Sequence, residues 1–190
     1  MNRELFEDLV IHQEYIDDSS LEGKEFINCQ FENCDFTETD FSYSLFENCI
    51  FKECNLSLTK SNESKMREVL FKNCKITGVD FSKCDTFITD MSFEECLIRN
   101  CNFTDLNLKK RVFCKNQILE CDFYNTELSE SDFSETTLTD TVFENCNLTK
   151  ANFSDAKDYQ IRPSINKIKK AIFTMPEAVT LLKELDIVIK

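Results

Sequence analysis

Phe26-Ile27-Asn28-Cys29-Gln30-Phe31-Glu32-Asn33-Cys34-Asp35-Phe36-Thr37-Glu38-Thr39-Asp40-Phe41 sets a period of five. Working outward, Phe46 and Phe51 follow in phase, and Leu56, Met66, Phe71, Ile76 and Phe81 keep it, with Ser61 as the one polar member. After a two-residue slip the series resumes at Phe93 and runs through Ile98, Phe103, Leu108, Phe113, Ile118 and Phe123 to Phe153. Fifteen of the 18 phenylalanines fall on this one position.

Two residues before each centre stands a small side chain: Cys29, Cys34, Thr39, Ser44, Cys49 and Cys54 early on, and Cys121, Thr126, Ser131, Thr136 and Ala151 later. The other three positions are mostly Asp, Glu, Asn, Lys, Ser and Thr. A helix repeats its apolar face every 3.6 residues and a strand every 2.0, so neither fits. A period of five with two inward side chains describes one flat side of a coil, and four such sides close a turn of about 20 residues. The cysteines agree. Cys34, Cys54 and Cys74 are one turn apart, and Cys96 follows across the slip. The expected fold is all-β, a right-handed quadrilateral β-helix of roughly seven coils, about 33 Å long at ~4.8 Å per layer.

The expected organisation is an N-terminal cap segment at 1–15, the solenoid at 16–157 and a tail at 158–190. In the tail, Thr174-Met175-Pro176-Glu177 has the form of a capping box with Thr174 as N-cap. Val179, Leu182 and Leu185 make an apolar stripe, which predicts a short amphipathic helix over 175–185. With Ile187 and Ile189 behind it, this stripe is expected to cap the last coil or, preferably, to join two copies as a homodimer. The slip between Lys83 and Met91 predicts an outward loop, whose Asp85, Phe87, Thr89 and Asp90 are candidate recognition residues.

Catalytic chemistry is hard to find in this pattern. There is one histidine, His12, and only Gly23 and Gly78 could serve a phosphate-cradling loop. Cysteines in columns line a wall, whereas zinc needs four converging ligands, so no metal or other cofactor is expected. Several Asn-x-Ser/Thr triplets, at Asn55, Asn62, Asn102, Asn147 and Asn152, follow from the repeat and are not read as glycosylation sites. No enzyme is expected. Eleven cysteines and the lack of an export-like N-terminus predict a reducing, cytoplasmic setting, and no run of apolar residues is long enough for a membrane span. The net charge of -13 argues against direct nucleic-acid binding. Residues 1–157 carry a net -15, about one charge per 2 Å of rod, close to the ~1.7 Å per charge of duplex DNA.

The motifs Phe26-Ile27-Asn28-Cys29-Gln30, Phe31-Glu32-Asn33-Cys34-Asp35 and Phe46-Glu47-Asn48-Cys49-Ile50 resemble pentapeptide-repeat proteins. The segment Asp158 to Ile168, Pro176-Glu177-Ala178, the apolar end and Gly78-Val79-Asp80 are similar to the microcin-immunity and quinolone-resistance branch of that family. That resemblance implies a DNA mimic that binds DNA gyrase or topoisomerase IV and shields it from a poison. The alternative is a generic interaction scaffold with another partner. The candidate acidic wall comprises Asp35, Asp40, Asp80, Asp122, Glu127, Asp132 and Asp140, all outward in the repeat, so their replacement is expected to spare the fold.

Overall fold

A computed structural model describes residues 4–12, 20–85, 87 and 89–188. The chain winds into a right-handed four-sided β-solenoid of about eight turns. Each pentapeptide contributes one side, and every strand pair is parallel to its counterpart one turn on: Phe26 opposite Phe46, Phe31 opposite Phe51, Phe123 opposite Phe143. Isolated bridges such as Asp35 to Asn55 and Asp40 to Lys60 carry the same register down the other two sides.

The corners explain how a chain with two glycines can turn so often. The residue two after most centres lies in the left-handed region, with φ of 53° at Asn28, 59° at Glu38, 61° at Lys110 and 61° at Glu130; Lys83, in the 3-10 turn Phe81–Lys83, departs from this. Asn and Asp tolerate this conformation best, and they hold many of the corners; Glu and Lys occupy others. Gly78 holds one with φ +69°, where an added Cβ would come within 2.8 Å of the Leu58 side chain.

Inside, the centres stack by layer. Stacked phenylalanine centroids are 4.6 to 5.2 Å apart, as in Phe31 over Phe51 and Phe26 over Phe46. Neighbouring sides meet edge to face, as in Phe31 with Phe36, and so do opposite ones, as in Phe93 with Phe103. Both geometries suit the ring quadrupole. The thiols fill the space beside the rings and also use their hydrogens. Cys54 Sγ donates to the Phe31 carbonyl and Cys74 Sγ to the Phe51 carbonyl, one coil back. Thr126 and Thr141 hydroxyls do the same toward Phe103 and Ile118. All eleven cysteines are free thiols, and Cys114 alone is not fully buried.

The ladder extends past both expected boundaries. Leu5–Glu7 and Val10–His12 pair with Glu25–Ile27 and Gln30–Glu32, so the N-terminal segment is the first coil rather than a separate cap. At the other end Gln160–Ile161 pairs with Val142–Phe143, and Ile172–Phe173 with Asn152–Phe153. The tail therefore adds a last coil, which is why the turns exceed the expected seven. Its repeat is hidden in the sequence because Ile161 lies 18 residues after its partner Phe143, while Lys167 returns to the 20-residue spacing opposite Asn147. Phe6 stacks on Phe26 and Phe173 on Phe153. Phe87 is then the one phenylalanine outside the stacks.

The predicted helix is present as a 3-10 helix, Glu177–Leu185, and the capping box is not formed. Pro176 is the N-cap residue and makes no side-chain cap. The Thr174 hydroxyl is engaged elsewhere, accepting from the Asp155 amide at 2.7 Å to close the corner of the preceding coil. The helix is held by Glu184, which accepts from the Ser164 amide and hydroxyl at 3.2 and 2.9 Å. Leu181 packs on the core and Val179 is half-buried, while Leu182, Leu185 and Ile187 face outward; Ile189 lies outside the described residues.

Candidate interaction site

The four sides are numbered from the one centred on Phe26 and Phe46. Side two carries Phe31 and Phe51, side three Phe36 and Leu56, and side four Phe41 and Ser61. The register distributes the acidic candidates over all four. Glu127 lies on side one, opposite Asn147. Asp132 lies on side two, opposite Asn152, and Asp35 and Asp140 belong to side three. Asp40, Asp80 and Asp122 share the fourth, in the column Asp40–Lys60 followed by Asp80–Asn102–Asp122. Glu22, Glu63, Asp105 and Glu144 project from the same side, against Lys60, Lys83 and Arg162. Side four is thus an acidic surface, matched in net charge by side two. Lys60 approaches Asp40 at 3.9 Å and Arg162 approaches Glu144 at 3.3 Å; both pairs are solvent-exposed and weak.

Five of the seven candidates have a second task. The Asp35, Asp40, Asp80 and Asp132 carboxylates accept from the backbone amides of Thr37, Ser42, Ser82 and Ser134 at 2.9 to 3.2 Å. Glu127 accepts from the Ser129 amide at 2.8 Å. These are Asx-type turns, which set the corner locally. The expectation that replacing them spares the fold is therefore corrected for substitutions that remove the acceptor. The same contact explains four of the Asn-x-Ser/Thr triplets: Asn55, Asn102, Asn147 and Asn152 accept from Ser57, Thr104, Thr149 and Ser154, while Asn62 donates to the Ser42 hydroxyl one coil back. Asn147 and Asn152 also donate back to Glu127 and Asp132 at 2.7 and 2.9 Å.

These contacts set the acidity of the carboxylates. The Thr37 hydroxyl and amide hold Asp35 below the ordinary aspartate range. Burial pushes Asp40 and Glu127 upward, but hydrogen bonds from Ser42 and from Ser129 and Asn147 outweigh it, so both end lowered. Asp40 on side four is thus charged and oriented at neutral pH.

The loop does project, with three of its four candidate residues turned to the scaffold. The Asp85 carboxylate accepts from the Phe87 amide at 3.0 Å, and its carbonyl accepts the Thr89 hydroxyl at 2.6 Å. Thr89 is buried, and Asp90 pairs with Arg111 while its amide donates to the Met66 carbonyl. Only Phe87 points away, 97% exposed. At its base lies an open recess of about 560 Å³ lined by Arg67, Glu68, Thr89, Lys109, Lys110 and Arg111 among others. The sequence-level reading of an acidic body missed this basic pocket, because Arg67 and Lys109 are brought together only by stacking across the slip.

A four-sided coil of stacked pentapeptides, with two inward residues per side and a charged exterior, defines a solenoid scaffold whose recognition surfaces are its outer sides and loops. The family described as "Pentapeptide repeat region" matches residues 24–103, and "Pentapeptide repeats (8 copies)" matches residues 119–155; the chain belongs to the pentapeptide-repeat family. Two solved structures of QnrB1, described as a plasmid-mediated fluoroquinolone resistance protein, share the fold from end to end. Both are trypsin-treated single-substitution variants of that protein. One superposes with a TM-score of 0.65 at 19% identity, covering 99% of this chain and 98% of that one. The other gives 0.65 at 18%, with both chains fully covered. No curated protein matches the sequence.

Proposed function

We propose that this protein is a non-enzymatic DNA mimic that binds DNA gyrase or topoisomerase IV in the cytoplasm and protects it from a poison, as a resistance or immunity protein. The observation that carries this reading is the acidic fourth side. Asp40, Asp80 and Asp122 stand in one column at intervals of two coils, roughly 10 Å at ~4.8 Å per layer. Summed over all four sides, residues 1–157 carry a net -15, and a rigid rod with that total charge can compete for a groove built for the phosphate backbone. The end-to-end likeness to the QnrB1 fold supports the class of function, and the motifs of the tail support the enzyme named. Exposed Leu182, Leu185 and Ile187 support a homodimer joined at this end.

The test is a gyrase supercoiling assay with a panel of gyrase poisons, paired with binding of purified gyrase. Native protein should restore supercoiling in the presence of at least one poison. Asp40→Asn, Asp80→Asn and Asp122→Asn, combined stepwise, should weaken binding progressively, and salt should do the same. Unchanged binding by the folded triple variant at low salt would overturn the mimic. No effect of the native protein on gyrase with any poison would favour a scaffold for another partner.

A further inference from the structure

Every phenylalanine but one is spent on the core, and the exception stands at the tip of the one projecting loop beside the basic recess. We propose that Phe87 and the recess formed with Lys109 and Lys110 are a docking site for an acidic protein segment that offers an apolar slot to the ring.

The charges in the recess are not equivalent. Arg111 is occupied by Asp90, and Arg67 is held by Glu47 at 2.8 Å. Lys109 and Lys110 are exposed and form no salt bridge among the described residues, though Lys109 helps to lower the Glu127 carboxyl one coil on, and Glu68 is the one other carboxylate in the lining. A partner carboxylate therefore meets two lysines whose charge is not neutralised by direct pairing. The aromatic ring is placed for the same event. Asp85 and Asp90 are tied to the scaffold through the Ser64 and Met66 carbonyls and Arg111, and between them Phe87 is turned to solvent. Exposed aromatic side chains are enriched at protein interfaces, and the two lysines beside this one supply charge complementarity to an acidic segment. A nucleic acid fits less well: a long phosphate backbone leaving this recess would run along a molecule of net charge -13. A short acidic segment confines its charge to the recess.

The site is separate from the acidic fourth side, so it stands whether or not a topoisomerase is the partner. The chain contains no tryptophan, so Phe87→Trp supplies a single emission probe at the loop tip in the full-length protein. The probes are a synthetic peptide alternating Glu and Leu, its Gln-for-Glu counterpart, and oligothymidylate. The acidic peptide should shift the emission saturably and lose affinity with added salt. Lys109→Glu with Lys110→Glu should weaken it roughly tenfold. Glu fits the Lys110 corner because Glu130 holds the equivalent corner one coil on, with the same φ of 61°. An unchanged circular dichroism spectrum would show that this variant is folded. In an otherwise native background, Phe87→Ala should weaken binding of a labelled acidic peptide read by anisotropy. The proposal is overturned if the folded double-lysine variant binds equally well, if the Gln peptide binds equally well, or if no probe changes the emission. Tighter binding of oligothymidylate than of the acidic peptide would also overturn it and make the recess a nucleic-acid contact.

Discussion

At the scale of single residues, the outward carboxylates serve fold and surface at once. Asp40, Asp80 and Asp132 each cap a corner through one oxygen, and Asn performs the same capping at Asn55, Asn102 and Asn152 in neighbouring coils. Charge and cap are therefore separable by substitution. Asp80→Asn should leave the denaturation midpoint nearly unchanged, whereas Asp80→Ala removes the acceptor for the Ser82 amide and should cost about 0.5–1.5 kcal/mol in urea unfolding. An equal loss in both variants would mean that charge, not the acceptor, is what the corner needs. The lowered carboxyls of Asp35, Asp40 and Glu127 give the matching pH sign. Their contribution is complete above the ordinary carboxylate range and fades as pH falls through the lowered values.

At the scale of an element, the buried thiols Cys49, Cys84 and Cys146 are sensitive to alkali, while Cys54 and Cys101, which accept hydrogen bonds from neighbouring thiols, are lowered instead. Burial pushes Cys49 up to about 12 and Cys84 up to about 11, and it raises Cys146 as well. A thiol raised in the fold favours the native state fully below its unfolded pKa of about 8.5 and loses that preference as pH climbs toward the folded value. Unfolding free energy should therefore decline between about pH 8.5 and 11, by up to about 1.4 kcal/mol per pH unit for each such thiol. Urea titrations across this range check it, and a flat profile would contradict it. The same burial leaves Cys114 as the thiol open to reagents, so native protein should take up about one equivalent of a thiol reagent and the unfolded chain all eleven.

At the scale of the whole molecule, the last coil is crossed by the helix at Glu177–Leu185, which packs Leu181 on the core and leaves Leu182, Leu185, Ile187 and Val188 in solvent. A contiguous apolar end on a charged rod is a contact surface. Light scattering at micromolar concentration should give twice the chain mass of 22.3 kDa, and Leu182→Asp with Leu185→Asp should return the monomer. A native mass near 22.3 kDa would show that the helix only closes the stack.

The phase of Phe26 to Phe51, the small residues two places before them and the 20-residue recurrence of Cys34, Cys54 and Cys74 were sufficient by themselves for the solenoid, its core and its parallel register. That is because each inward position is dictated by local periodicity and repeated many times. The cap role of Asp80 was legible in principle as an Asp or Asn two places before Ser or Thr, but it could be mistaken for a free surface charge because a side-chain acceptor matters only once the turn is formed. Tertiary structure alone decided that the candidate carboxylates divide among four sides, that residues 158–173 complete another coil, and that Lys109 and Lys110 gather beneath Phe87. Each of these depends on which coil lies over which. Spacings of 22 residues between Val69 and Met91 and of 18 between Val142 and Gln160 shift that assignment, and only the hydrogen-bonded stacking of the layers resolves it.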